Sequence, residues 1–223
     1  MGKETLILTQ GDLQGLVTMR EVVETVEKVF KGHGQGRVVM PPKMTLDLGE
    51  TGNWPNYRAG INAMPAYVGA LDVAGIKWAG VFQQNAEKGL PSVVATIILN
   101  DPHTGLVLSV MEGAWITALR TGAATAVGAK YLAQAGADTV AIIGAGTQGR
   151  YQLRALASVF TLKEVKVYDI RKEASTSYVE EMSQELDLHI RPQTNLKDAV
   201  TGADIVVTCT MTREPFLNGE WLG

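Results

Sequence analysis

One cysteine, three histidines and no long apolar run set the first limits on this 223-residue chain. Cys209 alone cannot form an intrachain disulfide, which fits a reducing compartment, and a cytoplasmic protein is expected. His33, His103 and His189 stand far apart with no ligand spacing, so no metal site is expected. No stretch approaches the ~20 apolar residues of a membrane span. The first residues lack a basic region leading into an apolar run, so no secretory leader is expected. Gly2 hints at myristoylation, but the position that would need Ser or Thr holds Leu6. An excess of either charge is also missing. The chain has 20 Lys and Arg against 23 Asp and Glu, which leaves no electrostatic footprint for nucleic acid or an anionic membrane. Apolar residues make up 46% of the chain, enough to bury a core in one large or two modest domains.

The apolar pattern divides the chain. Thr18 and Glu21 have the spacing of a capping box, and Met19, Val22, Val23, Val26, Val29 and Phe30 follow at helical intervals until Gly32, Gly34 and Gly36. Residues 38–47, 57–65, 73–82, 92–100 and 105–111 read as successive strands, with Asp101-Pro102-His103-Thr104-Gly105 as a turn. An Ala-rich helix is expected from 114 to 135. Strands at 139–143, 164–169, 188–191 and 204–209 then alternate with helices at 147–159, 173–186 and 195–201. Such alternation predicts a parallel sheet wound by right-handed crossovers. The predicted fold class is therefore α/β, a parallel sheet preceded by an N-terminal α+β domain, divided as 1–118 and 119–223. Only four parallel strands precede Trp221-Leu222-Gly223, where a full dinucleotide domain has six. The fourth strand would leave an unpaired edge, and an apolar terminus is a poor solvated end. The sequence is accordingly read as a truncated version of a longer protein.

The richest stretch is Thr139–Gly149. Val140 to Ile143 form an apolar run that breaks into Gly144, Ala145 and Gly146, with Gly149 three residues on and a helical pattern after it. Strand, glycines, then helix is the setting in which G-x-G-x-x-G receives a dinucleotide pyrophosphate. Gly144 would allow the tight turn, Gly146 the approach of phosphates and Gly149 close helix–strand packing. The amides and positive dipole end of the new helix would face the pyrophosphate. Asp169 closes the next strand, 23 residues beyond Gly146, near the ~20 expected of the carboxylate that takes the ribose hydroxyls. That favours NAD over NADP, although Arg171 could receive a 2′-phosphate and Asp169 could be a solvated strand end.

Several motifs in order carry a resemblance: Met64-Pro65-Ala66-Tyr67, Gly75-Ile76-Lys77, Asn85 with Gly89-Leu90-Pro91-Ser92-Val93, Thr117-Ala118-Leu119-Arg120-Thr121, Gly144 to Gln148, and Ala203-Asp204-Ile205-Val206-Val207. From about Leu6 to its last residue the chain resembles the ornithine cyclodeaminase/mu-crystallin family, which includes archaeal-type alanine dehydrogenases and ketimine reductases. The resemblance implies a homodimer, an N-terminal substrate and dimerisation domain, and a Rossmann domain that binds NAD. It implies that Lys77 is the active-site lysine and that Arg120 grips the α-carboxylate, a task that suits a two-pronged guanidinium. Lys43 stands where the family often has a second carboxylate-binding arginine. Ser92, Arg120, Thr121, Gly144, Ala145, Gly146, Thr147, Gln148, Asp169 and Thr210 are the implied cofactor positions.

Each position also has a plainer reading. Lys77 could be a solvated charge, Ser92 an ordinary strand residue, and Cys209 and Thr210 the end of a buried strand. Glu112 near a helix start needs no catalytic role. Arg120 at a helix start works against the dipole, which favours a functional reason for it.

The implied chemistry begins with a small L-amino acid whose carboxylate is fixed by Arg120 and Lys43. Hydride leaves Cα for NAD and an imine results, with Lys77 as the acid–base group. Water attack then yields a keto acid and ammonia. Attack by a substrate's own distal amine would instead form a cyclic amino acid, as when ornithine gives proline. Cyclic ketimine reduction and ligand binding without turnover are the other readings. Two departures stand out. Asn62 and Ala63 occupy the place where ornithine-binding members tend to carry an acidic residue. The family's catalytic aspartate falls beyond Gly223, so a chain ending there is expected to show weak or absent catalysis.

Overall fold

The computed structural model describes residues 4–49, 51–52, 54–212 and 214–222. Gly2 and Gly223, on which two of the expectations fall, lie outside them. In chain order the elements are β1 (Leu6–Leu8), α1 (Gln10–Leu13), α2 (Met19–Gly34), β2 (Val38–Val39), β3 (Met44–Leu48), β4 (Ala59–Val68) and β5 (Val73–Phe82). A 3-10 turn (Gln83–Lys88), β6 (Val93–Asn100), β7 (Val107–Glu112), α3 (Ala114–Leu132), β8 (Thr139–Ile143) and α4 (Thr147–Ala157) follow. The chain continues through β9 (Glu164–Tyr168), α5 (Lys172–Leu186), β10 (Ile190–Pro192), α6 (Leu196–Val200), β11 (Ile205–Thr208) and a last 3-10 turn (Gly219–Trp221). Among the described residues no helix is long and apolar enough to cross a membrane.

The chain divides into two compact units, Met1–Thr18 with Glu27–Thr117, and Met19–Val26 with Ala118–Gly223. The first is built on a seven-stranded sheet of order β1-β7-β6-β5-β4-β2, with β3 also on β4. β4 to β7 form the antiparallel meander, while β1, three residues without a local signal, adds in parallel to β7. The run read as one strand over 38–47 is two, because Pro41 and Pro42 have no N–H to give a ladder. The Asp101 carboxylate accepts from the amides of His103 (2.9 Å) and Thr104 (3.3 Å), which makes the expected turn between β6 and β7.

Paired residues on neighbouring strands share a face, and faces alternate along each strand. Met44 pairs with Ala63 and Ala63 with Trp78, and the same pleat carries Leu46, Val94, Ile7 and Val39. These six large apolar side chains are exposed, while Ile61, Ile76, Ile98 and Val110 on the same face are partly buried. The opposite face carries Met64, Lys77 and Ile97 in one row, with a buried Ser109.

The second unit holds a four-stranded, fully parallel sheet of order β10-β9-β8-β11. Val140 and Ile142 of β8 pack into one layer with Leu153, Leu156, Tyr178 and Met182, while Ala141 and Ile143 face Ala199 and Val200. A strand covered on both faces reads as a continuous apolar run, which is why β8 was visible without alternation. Met19, Val22, Val23 and Val26 of α2 join the first layer, although the sequence reading had put residues 1–118 in one domain. Trp221 packs with Phe216 and Leu217 on the second layer, while Leu222 stays exposed. Order reverses between β8 and β11, and open α/β sheets bind ligands outside the carboxyl ends of strands at such a switch.

Candidate functional site

The carboxyl end of β8 opens into the glycine turn. Gly144 has φ +110°, a region that side chains disfavour, and a Cβ there would stand 2.7 Å from the Cys209 carbonyl oxygen. Gly149 is buried, and a Cβ on it would fall 2.3 Å from the Gly144 carbonyl oxygen. Helix α4 therefore starts hard against its own strand. Gly146 differs from both, because a Cβ would meet nothing within 4 Å, so the turn is open on that side. Gly146 is the N-cap of α4, and no side chain caps it. The first amides of a helix have no partner within it. Here they stand at an exposed glycine and an exposed Thr147, with the positive end of the dipole behind them. Gln148 adds a buried side-chain oxygen with no hydrogen-bond partner. A diphosphate fits the open space and the free amide donors, while the Gln148 oxygen, an acceptor, suits a donor group of a ligand.

Asp169 follows β9 and turns back to the same place. Its Oδ2 accepts from the Ala145 amide (2.9 Å) and its Oδ1 from the Arg171 amide (2.9 Å). The Arg171 side chain is exposed, its Nε 3.7 Å from Oδ1. Cys209 closes the far side, with its thiol donating to the Gly144 carbonyl (3.2 Å). Burial, and then the Asp169 carboxylate, push that thiol's pKa up to about 11, so it stays protonated at neutral pH and is no nucleophile. Thr210, next in the chain, is exposed at the same strand end.

In the first unit Lys77 lies mid-way along β5, half-buried, and its Nζ donates to Thr117 Oγ1 at 3.3 Å. Lys43 is exposed just before β3, whose Met44 pairs with the neighbour of Met64, the residue opposite Lys77. Ser92 precedes β6, and its carbonyl accepts from the Phe82 amide (2.8 Å). Glu112 takes the plainer role, since its carboxylate accepts from the amides of Ala114 (2.5 Å) and Trp115 (3.0 Å) and caps α3. Arg120 and Thr121 lie further along α3. Arg120 keeps part of its surface in solvent, and partial burial of its guanidinium lowers its pKa from the usual arginine value without removing its charge. No carboxylate among the described residues pairs with it.

The family model described as ornithine cyclodeaminase/mu-crystallin matches residues 3–223. The chain belongs to that family. It is 39% identical over 219 residues to an alanine dehydrogenase of Archaeoglobus fulgidus, covering 98% of this chain and 64% of that one. Among solved structures, Δ1-pyrroline-2-carboxylate reductase of Thermococcus litoralis with NADH and L-proline matches at 37% identity and a TM-score of 0.92, covering 98% of this chain and 66% of the other. An archaeal alanine dehydrogenase dimer with bound NAD matches at 38% identity and a TM-score of 0.89, covering 98% and 64%. The chain thus spans somewhat under two thirds of these relatives' own lengths.

Against this family background, two side chains that the sequence reading gave no role have a place at these sites. Thr117 was quoted only as part of a motif, yet it receives the Lys77 ammonium. Arg150 directly follows Gly149, and its position behind the turn depends on α5, which no local pattern reveals.

Proposed function

We propose that this protein binds NAD and moves hydride between the nicotinamide and the α-carbon of a small L-amino acid or the matching imine. The observation that carries the reading is the uncapped, open glycine turn at the carboxyl end of β8 with Asp169 beside it. The amides opening α4 would hold the diphosphate, Asp169 the adenosine ribose, and Thr147, Gln148, Thr210, Ser92 and Thr121 the remainder. The cofactor supplies the hydride acceptor or donor. Arg120, charged and without a carboxylate partner, binds the substrate carboxylate, and Lys43 adds a second cation. Lys77 moves a proton at Nζ, with Thr117 orienting that atom. Asn62 lies on the Lys77 face, neutral, with its Oδ1 accepting from the Thr45 hydroxyl (2.8 Å), so this position offers no carboxylate to a distal ammonium. That favours a substrate with a short neutral side chain, or a cyclic imine, over ornithine.

Incubation with NAD and L-alanine or L-ornithine, following NADH absorbance and ammonia, tests the reading. NADH accumulating with alanine, or consumed with a cyclic imine, supports it. Ammonia and proline from ornithine without net NADH would make the protein a cyclodeaminase. Cofactor binding without turnover would make it a binder.

Asp169 sets the cofactor preference in this reading. An anion facing a 2′-phosphate costs between ~1 and ~4 kcal/mol at contact distance, depending on screening. Asp169→Asn keeps an acceptor for the Ala145 amide and removes the charge, leaving Arg171 to meet the phosphate. NADH should outcompete NADPH on the parent protein by about tenfold or more, and the variant should lose that margin in fluorescence titrations. An unchanged ratio would remove Asp169 from the ribose site.

The exposed apolar face of the first sheet is assigned to a second copy of the chain, in a two-fold dimer. A face carrying Ile7, Val39, Met44, Leu46, Trp78 and Val94 is self-complementary in character, and a closed pair covers it on both copies. Trp78→Glu places a charge at the middle of that face and should shift the sedimentation of the protein from dimer to monomer. A parent protein that sediments as a monomer would refute the assignment.

A further inference from the structure

The turn that would receive the diphosphate is braced from behind. Arg150 Nη1 donates to the Ala145 carbonyl at 2.5 Å and approaches the Gly146 carbonyl at 3.4 Å. Its Nε donates to Glu181 Oε2 on α5 at 2.7 Å, and its guanidinium lies 5.3 Å above the Tyr178 ring. Tyr178 is fully buried, and its hydroxyl donates to the Gly149 carbonyl at 3.0 Å. Burial pushes the pKa of that hydroxyl up, so it stays a donor. The Ala145 carbonyl, which lies ahead of the helix, is thus answered by Arg150, while the Gly146 carbonyl is shared between this side chain and the Arg150 amide (3.3 Å).

This arrangement has a consequence for anion binding. A peptide plane that directs its carbonyl backward directs its amide forward. Left unanswered, the Ala145 carbonyl would be free to rotate toward the site, where its partial negative charge opposes a phosphate. The guanidinium is planar, so holding Nε on Glu181 and the face on Tyr178 also aims Nη1. Glu181 balances the positive charge, so the group acts by geometry more than by long-range attraction.

We propose that Arg150 is a positioning residue that locks the glycine turn in its phosphate-receiving form, with Glu181 and Tyr178 holding Arg150 in turn. The proposal rests on the reading of this turn as a dinucleotide site. It predicts a loss confined to ligands that carry phosphate. Arg150→Met should weaken ADP binding by about tenfold in calorimetry, the scale of a charge-assisted hydrogen bond. Adenosine binding, followed by saturation-transfer NMR, should stay as in the parent. Arg150→Lys keeps the charge and one donor but cannot bridge Glu181 and both carbonyls, so a smaller loss of roughly threefold is expected. A merely structural residue would move adenosine and ADP together. Equal losses for both ligands, or either variant binding ADP as tightly as the parent, would overturn the proposal. If Arg150→Met does not fold, Arg150→Lys decides alone. A parent protein that binds neither ADP nor NADH would instead overturn the nucleotide reading beneath it.

Discussion

Lys77→Met should abolish hydride transfer with an amino acid or imine while NADH binding stays at the parent level. Methionine matches the length of the lysine stem and removes the ammonium. The site is half-buried on β5 between Met64 and Ile97, so an apolar replacement is tolerated by its neighbours. Positioned proton transfer contributes about 10²- to 10⁴-fold to a rate, and the variant should lose on that order in kcat. Lys77 belongs to the first unit and the glycine turn to the second, so NADH fluorescence titration should not change. Turnover that survives would take Lys77 out of the mechanism. Loss of NADH binding alongside activity would show that the substitution had damaged the fold and not the chemistry.

The second large effect concerns two glycines only three residues apart, which should fail in opposite ways. Gly149→Ala puts a methyl carbon 2.3 Å from the Gly144 carbonyl oxygen and 3.2 Å from Ile142 Cγ2. Neither neighbour can give way easily. Gly144 is tied to the Tyr168 carbonyl through its amide (2.8 Å), and Ile142 sits in a strand paired on both sides. Overpacking of a rigid core costs about 1–3 kcal/mol, and backbone contact this close should reach the upper end. For a chain of this size about 3 kcal/mol corresponds to roughly 6–12 °C in Tm. Gly146→Ala meets nothing within 4 Å, so its Tm should match the parent. Its methyl group instead occupies the side of the turn that phosphates approach, and NADH affinity should fall by about tenfold or more. Calorimetric melts and NADH titrations of the pair separate the two roles. A Gly146→Ala protein with unaltered NADH affinity would place the diphosphate elsewhere.

The contrast between those glycines also explains what could be read from residue order alone. Residues 139–149 encode their structure locally. An apolar run covered on both faces, a residue that needs positive φ and an uncapped helix start all act over a few bonds, so β8, the turn and α4 were visible before any contact was known. The same holds for β5 over 73–82 and for the Asp101–Gly105 turn, where one side chain answers amides two and three residues away. The break in 38–47 was also present in the sequence, in Pro41 and Pro42, and was passed over because the apolar pattern continues across them.

Other features have no local cause. β1 exists because Leu6, Ile7 and Leu8 find Ser109, Val110 and Met111 a hundred residues later. The amphipathic stripe of α2 was plain, yet its first half packs in the second unit, since a stripe states that it must be covered and not by what. Lys77 meeting Thr117, forty residues on, is of the same kind, as is Arg150 resting on Tyr178 and Glu181. Backbone sterics and hydrogen-bond chemistry between near neighbours are written in residue order, and these specify the glycine turn, its acidic neighbour and the strand pattern around them. Which distant side chains meet that turn and that lysine depends on how the packed layers bring remote residues within a few ångströms, and it is settled only when the core closes.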